Sequence, residues 1–282
     1  MQSMRDIKRR IRSVQNTQKI TRAMKMVAAA KLRRAQERAE GARTFFEATR
    51  SIFKNVANAV LDETHPLLVD RGGKKVGYLV ITADRGLAGG YNVKMNNEVE
   101  QHIEDKSKTS LITVGRKGRD YFKRRGYNIV SEYLGIEDYP DFRIAKKISA
   151  ELIQLYEAEV FDRVYLGYMR FQSAMTQIPT IIPLLPVVPE KKEEGRRIDY
   201  IYEPSAVEVL DWILPRYVEN IIYSALLEAK ASEFGARMTA MDNATENAQE
   251  MIDNLILSYN RARQAAITTE ISEIVGGAEA LK

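Results

Sequence analysis

Apolar residues recur along the first sixty positions with a helical period, sustained for longer than an ordinary globular helix would need. Stepping by four and three from Ile7 gives Ile11, Val14, Gln18, Thr21, Lys25, Ala28, Leu32, Ala35, Ala39, Ala42, Phe46, Thr49, Phe53, Val56 and Val60. Twelve of these sixteen positions are apolar, which is the seam of a coiled coil. From Met4 to Val60 there is no proline and only one glycine, Gly41. The pattern therefore predicts one helix of about 55 residues and roughly 80 Å. The seam turns polar at Gln18, Thr21 and Lys25, while Ile20, Met24 and Val27 carry the apolar character on a displaced stripe. Either the register stutters there or a third surface docks.

The far end of the chain mirrors this plan. Ser205-Ala206-Val207-Glu208 is a capping-box pattern after Pro204, and Pro215 predicts a kink or a restart. The sequence then runs without proline to Gly276-Gly277. Its seam candidates are small: Ala225, Ala229, Ser232 and Ala236, then after a skip Ala244, Ala248, Met251, Leu255, Ser258, Ala262, Ala265, Thr269 and Ser272. Small residues permit close approach, so this helix is expected to pair antiparallel with the first. An ordinary helical hairpin is the plainer alternative, although both arms exceed the usual length of one.

Between the two helices the period changes. Val76–Thr82, Ser110–Val114, Tyr127–Ser131 and Val164–Phe171 read as strands, and 92–106, 117–125 and 143–159 read as helices. Strand and helix alternate, so residues 75–195 predict a parallel, Rossmann-like layer. The fold class is thus α/β, a long antiparallel coiled coil of terminal helices, 1–60 and 205–282, with an α/β domain inserted at 75–195.

Composition narrows the chemistry. The chain has 282 residues, no cysteine and two histidines, His65 and His102. A disulfide framework, a thiolate zinc site, a cysteine nucleophile and a multi-histidine metal site are all excluded. No run approaches the ~20 apolar residues needed to cross a bilayer, and the most apolar stretch, Pro179–Pro189, is broken by prolines. The Arg-rich start lacks the form of a secretory signal and runs on past the length of a transit peptide. Charge is divided: residues 1–50 hold 14 Lys and Arg against 4 Asp and Glu, and residues 205–282 hold 6 against 12. The two ends are electrostatically complementary. A basic arm also suits nucleic acid, which is the alternative reading of this chain.

The glycine-rich turn Asp84-Arg85-Gly86-Leu87-Ala88-Gly89-Gly90 lies between a strand and a helix, where a phosphate could sit. It matches neither GxGxxG nor GxxxxGK[ST], so it is read as a structural turn with Asp84 near the helix start. The two histidines have no paired ligand or nucleophile nearby in sequence and are read as solvated or packing residues. Acidic pairs such as Glu137-Asp138 identify no catalytic pair.

Over essentially its whole length the chain closely resembles the γ subunit family of F-type ATP synthase. The resemblance rests on Ile11-Arg12-Ser13-Val14-Gln15-Asn16-Thr17-Gln18-Lys19-Ile20-Thr21 with Ala23-Met24-Lys25-Met26-Val27-Ala28-Ala29, and on the Asp84–Gly90 turn. It rests also on Tyr200-Ile201-Tyr202-Glu203-Pro204, Tyr259-Asn260-Arg261-Ala262-Arg263-Gln264-Ala265 and Glu273-Ile274-Val275-Gly276-Gly277. It implies a rotor: paired helices forming the central shaft inside an α3β3 hexamer, with the α/β domain at its foot against the ε subunit and the membrane-embedded c-ring. It implies no catalytic site, cofactor or metal of the chain's own. By position in the family's motifs, Met24, Lys25, Arg263, Gln264, Thr268 and Glu270 would contact a β subunit, and Tyr200, Tyr202 and Glu203 would contact the c-ring and ε. Membrane association would come through the c-ring, at the cytoplasmic face of a bacterial cell membrane. The last residues, through Leu281 and Lys282, resemble the tip that turns in the hexamer's apolar sleeve. The cysteine-bearing insert of the chloroplast members is lacking, so thiol control is excluded.

Overall fold

Fifty-six residues of strong helix formers with a single glycine make one helix, and in a computed structural model of the chain α1 runs Met4–Ala59. The structure describes residues 4–59, 65–188, 203 and 205–279. They fall into two units, one made of Met1–Val27 with Met238–Lys282 and the other of Ala28–Arg237.

In the second unit, β1 (Val76–Ile81), α2 (Tyr91–His102), β2 (Thr109–Val114), α3 (Arg116–Arg124), β3 (Asn128–Tyr133), α4 (Phe142–Glu157) and β4 (Arg163–Phe171) alternate as expected. The strand order is β3-β2-β1-β4-β5. The pairs β1–β2, β2–β3 and β1–β4 are parallel. The expectation of an all-parallel sheet needs one correction: β5, Gln177–Leu185, closes the sheet antiparallel to β4. It overlaps the proline-broken apolar run Pro179–Pro189, outside the strands expected from the pattern. As an edge strand it tolerates its prolines, because Pro179 and Pro183 are four apart and their missing N–H groups fall on one side. Helix α2 also ends four residues earlier than expected, and Asp105 instead caps a short 3-10 turn, Lys106–Lys108, by accepting from the Ser107 N–H at 2.9 Å.

Alternate residues of β1 serve two cores. Leu79 and Ile81 pack with Ile148 and Leu152 of α4 on one face. Tyr78 and Val80 pack with Met95 of α2 and Phe122 of α3 on the other. The final helix, α5, runs Ala206–Glu279. Its start is the predicted one, with the Ser205 hydroxyl accepting from the Glu208 N–H at 3.2 Å. Pro215 lies inside the helix, which neither stops nor restarts there. Leu226 and Ala229 of α5 belong to the α4-side core and Ala236 to the other. Between these residues α5 therefore crosses the sheet's carboxyl edge. On α1 the expected seam of this unit is the inward one, with Ala28, Leu32, Ala35, Thr49, Phe53 and Val56 buried. Phe53 stacks on Tyr217 of α5 at 4.4 Å between ring centroids.

In the first unit α1 and α5 lie antiparallel, joined by Gln18–Gln249, Thr21–Thr245 and Lys25–Asp242, whose residue numbers sum to nearly the same value. The predicted α1 register holds throughout: Ile7 and Thr21 are buried and Ile11, Val14, Gln18 and Lys25 half-buried. The possible stutter is thereby excluded. The α5 register requires correction. The inward positions are Met241, Thr245, Ala248, Ile252, Leu255, Tyr259 and Ala262, whereas Met251, Ser258, Ala265, Thr269 and Ser272 are exposed. The long apolar Ile252 outcompetes its smaller neighbours for the seam, and past Ala262 no described residue of α1 remains to be faced.

Candidate functional site

The turn Asp84–Gly90 stands at the carboxyl end of β1, between β1 and β4, where a doubly wound sheet reverses its strand order and would hold a ligand. Here the chain fills that position itself. One Asp84 carboxylate oxygen accepts from the Arg116 N–H and the other from the Gly135 N–H, each at 3.0 Å, tying together the three loops that leave β1, β2 and β3. Arg237 donates to the Gly86 carbonyl, and the fully buried Tyr91 hydroxyl donates to the Ala229 carbonyl at 3.0 Å. Glu233 of α5, itself buried, pairs with Lys230 at 3.4 Å and Arg237 at 2.8 Å. The space left among Asp84, Tyr91, Ile136, Lys230 and Glu233 is about 10 Å³, no more than a water would need. Gly115 is required beside it: its φ is +93°, and a Cβ there would meet the Thr82 carbonyl oxygen at 2.2 Å. The groups of the turn are thus engaged in joining the loops after β1, β2 and β3 to one another and to α5.

His65 is half-buried and His102 exposed, and each is engaged by its neighbours. His65 accepts the Leu67 N–H at Nδ1 and turns Nε2 toward Asp211 at 3.4 Å, and burial lowers its pKa despite nearby carboxylates. His102 meets the Tyr78 hydroxyl at 2.8 Å and lies edge-on to Tyr165.

In the first unit the outward-facing helix surface falls in two groups. At the polar stretch of the seam, Lys25 Nζ lies 2.5 Å from Asp242 Oδ1, with both side chains about 40% exposed. The Thr21 and Thr245 hydroxyls are 2.8 Å apart and Gln18 donates to Gln249 at 2.9 Å. These three rungs make the polar break a register device between the helices, the recognised use of polar residues in a coiled-coil seam. A pair this exposed contributes only about 0–1 kcal/mol, so its value is specificity. Because the rungs need no third partner, the displaced stripe is left free: Ile20 is 61% and Val27 54% exposed, with Met24 half-buried between them and Met26 exposed beside them.

The second group lies past residue 262 of α5, where every position through residue 278 is exposed. The pairing arithmetic places Met4, the first described residue of α1, opposite about residue 263. Arg263, Gln264, Thr268 and Glu270 are here, about 30–40 Å along α5 from Asp242 at 1.5 Å per residue. Thr268 returns its hydroxyl to the Gln264 carbonyl at 2.9 Å. Sequence reading missed the apolar residues among them, Ile267, Ile271, Ile274 and Val275, all between 48 and 66% exposed. Their four-three spacing was visible. The extrapolated seam of small residues obscured it. Arg263, Ile267, Glu270 and Ile274 share one face by that same spacing. Glu203 is exposed, and Tyr200, Tyr202 and the terminal Leu281 and Lys282 lie outside the described residues.

Among the described residues no helix is long and apolar enough to cross a membrane. The family model described as ATP synthase matches residues 3–281. The ATP synthase gamma chain of Halothermothrix orenii is 57% identical over 287 aligned positions that cover all of both chains. A chain of the central stalk and c-ring of the Tetrahymena thermophila mitochondrial ATP synthase superposes with a TM-score of 0.64 at 27% identity, covering 80% of this chain and 99% of that one. A chain of the Euglena gracilis mitochondrial ATP synthase shares the fold, with a TM-score of 0.75 at 21% identity over 99% and 94% of the two. A seam of two terminal helices, a layer whose ligand crevice is plugged by its own chain, and a full-length match to these gamma chains agree: the chain belongs to the ATP synthase gamma chain family.

Proposed function

We propose that this chain is the central-stalk rotor of a bacterial ATP synthase, a subunit without bond chemistry of its own that couples ion flow through the c-ring to conformational change at the catalytic β subunits. The observation that carries this reading is the end of α5, some sixteen residues of single helix whose apolar stripe, Ile267, Ile271 and Ile274, nothing in the chain covers among the described residues. A lone helix of that length is marginal in water, so it is built for a surrounding partner. A ring of α and β subunits supplies one. A rod without threefold symmetry inside such a ring contacts its three copies differently, which biases their open and closed states.

In this reading Met24 and Lys25 at the polar rungs, and Arg263, Gln264, Thr268 and Glu270 on the single helix, meet β subunits. Tyr200, Tyr202 and Glu203 belong to the foot that meets ε and the c-ring, which holds the chain at the cytoplasmic face of the membrane. The division into shaft helices 1–60 and 205–282 and a foot at 75–195 follows the same assignment. The nucleic-acid reading of the basic helix is unsupported by the relatives, and Arg9, Arg33 and Arg43 pair with acids of their own helix. The test is light-scattering mass after size exclusion of the chain mixed with α and β chains, with ATPase assayed across the fractions. One copy per α3β3 with activity absent from the chain alone is expected. Elution of the chain apart from α and β would sink the rotor assignment.

A further inference from the structure

The loop between β3 and α4, residues 134–141, touches both long helices as well as its own layer. At its start Gly135 donates to Asp84, and at its end Asp141 caps α4 by accepting the Arg143 N–H. Between these fixed points Ile136, Asp138 and Tyr139 reach outward. Asp138 Oδ2 lies 2.5 Å from Lys31 Nζ on α1. The Tyr139 ring lies under the Arg38 guanidinium of α1, 4.8 Å from its centroid, and beside Phe234 of α5 at 6.5 Å. The Ile136 carbonyl accepts from Lys230 of α5 at 3.3 Å. Lys31 also stands over the Phe234 ring at 5.8 Å. Lys31 and Arg38 are seven residues apart, hence on one face of α1, and Lys230 and Phe234 are four apart on one face of α5.

The two helices are held to the layer unequally. The buried core on the α4 side takes Leu210, Ile213, Leu214, Val218, Ile222, Ala225, Leu226 and Ala229 from α5, but only Phe53 and Val56 from α1. The stretch of α1 around Lys31 and Arg38 lies four turns or more from Phe53 and meets the layer through the loop's directional contacts. Burial opposes the charged form of Asp138, and Lys31, with Lys230 and Arg85, outweighs it and holds the carboxyl below its ordinary value.

We infer that the β3–α4 loop is a torque clamp, with Asp138 and Tyr139 as positioning residues that prevent α1 from turning against the α/β layer when the layer is driven. The inference rests on the rotor reading and deepens it, by naming where torque passes from the foot into α1. Contacts that share partners are not additive, so one exposed ion pair removed alone is a mild lesion and the double substitution is the informative one.

The experiment uses the complete enzyme in inverted membrane vesicles and reads ATP-driven proton pumping per ATP hydrolysed. Asp138→Ala with Tyr139→Ala is expected to lower that ratio by about twofold or more, without lowering hydrolysis. The charge swap Lys31→Asp with Asp138→Lys, on an intact Tyr139, is expected to keep the ratio near wild type, while Lys31→Asp alone lowers it. A merely structural loop would lose subunit content and hydrolysis together and would not answer to the swap. An unchanged ratio in the double variant, or a swap no better than the single charge reversal, overturns the clamp. Failure of the rotor reading looks different: vesicles lacking this chain would then regain no coupled pumping when the wild-type chain is restored.

Discussion

Glu228 shows burial acting on one carboxyl. It stands half-buried on α5, one oxygen enclosed and unpartnered while the Phe171 N–H serves the carboxylate. Desolvation raises its pKa from 4.5, outweighing that hydrogen bond and the Arg170 charge. The native chain then holds this proton more tightly than the unfolded chain, so the contribution to stability is complete below pH 4.5 and is lost as pH rises through the folded value. In Glu228→Gln that loss disappears. The Tm of the variant relative to wild type is therefore expected to climb between pH 4.5 and neutrality; a difference flat with pH would show that Glu228 titrates as in solvent. Nothing in the sequence marked Glu228, because its environment is made by β4 and α1 residues distant in the chain. Asp84 was more legible. A strand followed by Asp and glycines names a turn, yet its two hydrogen bonds to Arg116 and Gly135 depend on three loops meeting.

At the scale of elements, pattern reading worked where one partner alone decides burial. Every described α1 seam position is buried or half-buried at its expected register, polar rungs included. On α5 the small residues suggested several stripes, and only packing chose among them. Ala248 is 4% exposed, whereas Ala265 is exposed. Ala248→Trp is accordingly expected to cost about 1–3 kcal/mol through overpacking, and Ala265→Trp to leave the Tm of the isolated chain unchanged. Equal losses in thermal melts of the two would return Ala265 to the seam. The missed strand β5 has a related cause. Proline forbids a central strand but not an edge, and which strand is an edge is a property of the sheet.

For the whole molecule, charge and exposed apolar surface point outward to partners. In the first unit basic α1 and acidic α5 do run together, but the Lys25–Asp242 bridge is exposed, so their complementarity acts as a field that favours the antiparallel pairing. The apolar end of α5 is the stronger sign. Replacing Ile267, Ile271 and Ile274 together by Gln keeps helix propensity and removes surface only an external partner would bury. Retention of the chain in the α3β3 complex is expected to weaken at least about tenfold, with the Tm of the free chain unchanged. A complex of wild-type affinity would mean that this face meets no apolar sleeve.

Local rules were enough for the two terminal helices, the alternation of strands and helices between them, the α1 seam and the capped start of α5, because each depends on the periodicity or chemistry of a few consecutive residues. The family was legible for the same reason, its motifs being runs of adjacent residues. Tertiary structure alone decided the rest: the antiparallel edge strand, the true α5 seam, the plugging of the sheet's crevice by α5, and the grip of residues 134–141 on Lys31, Arg38, Lys230 and Phe234. Each of these is a competition among surfaces far apart in sequence, settled by which apolar groups can be buried at once and which polar groups then find partners.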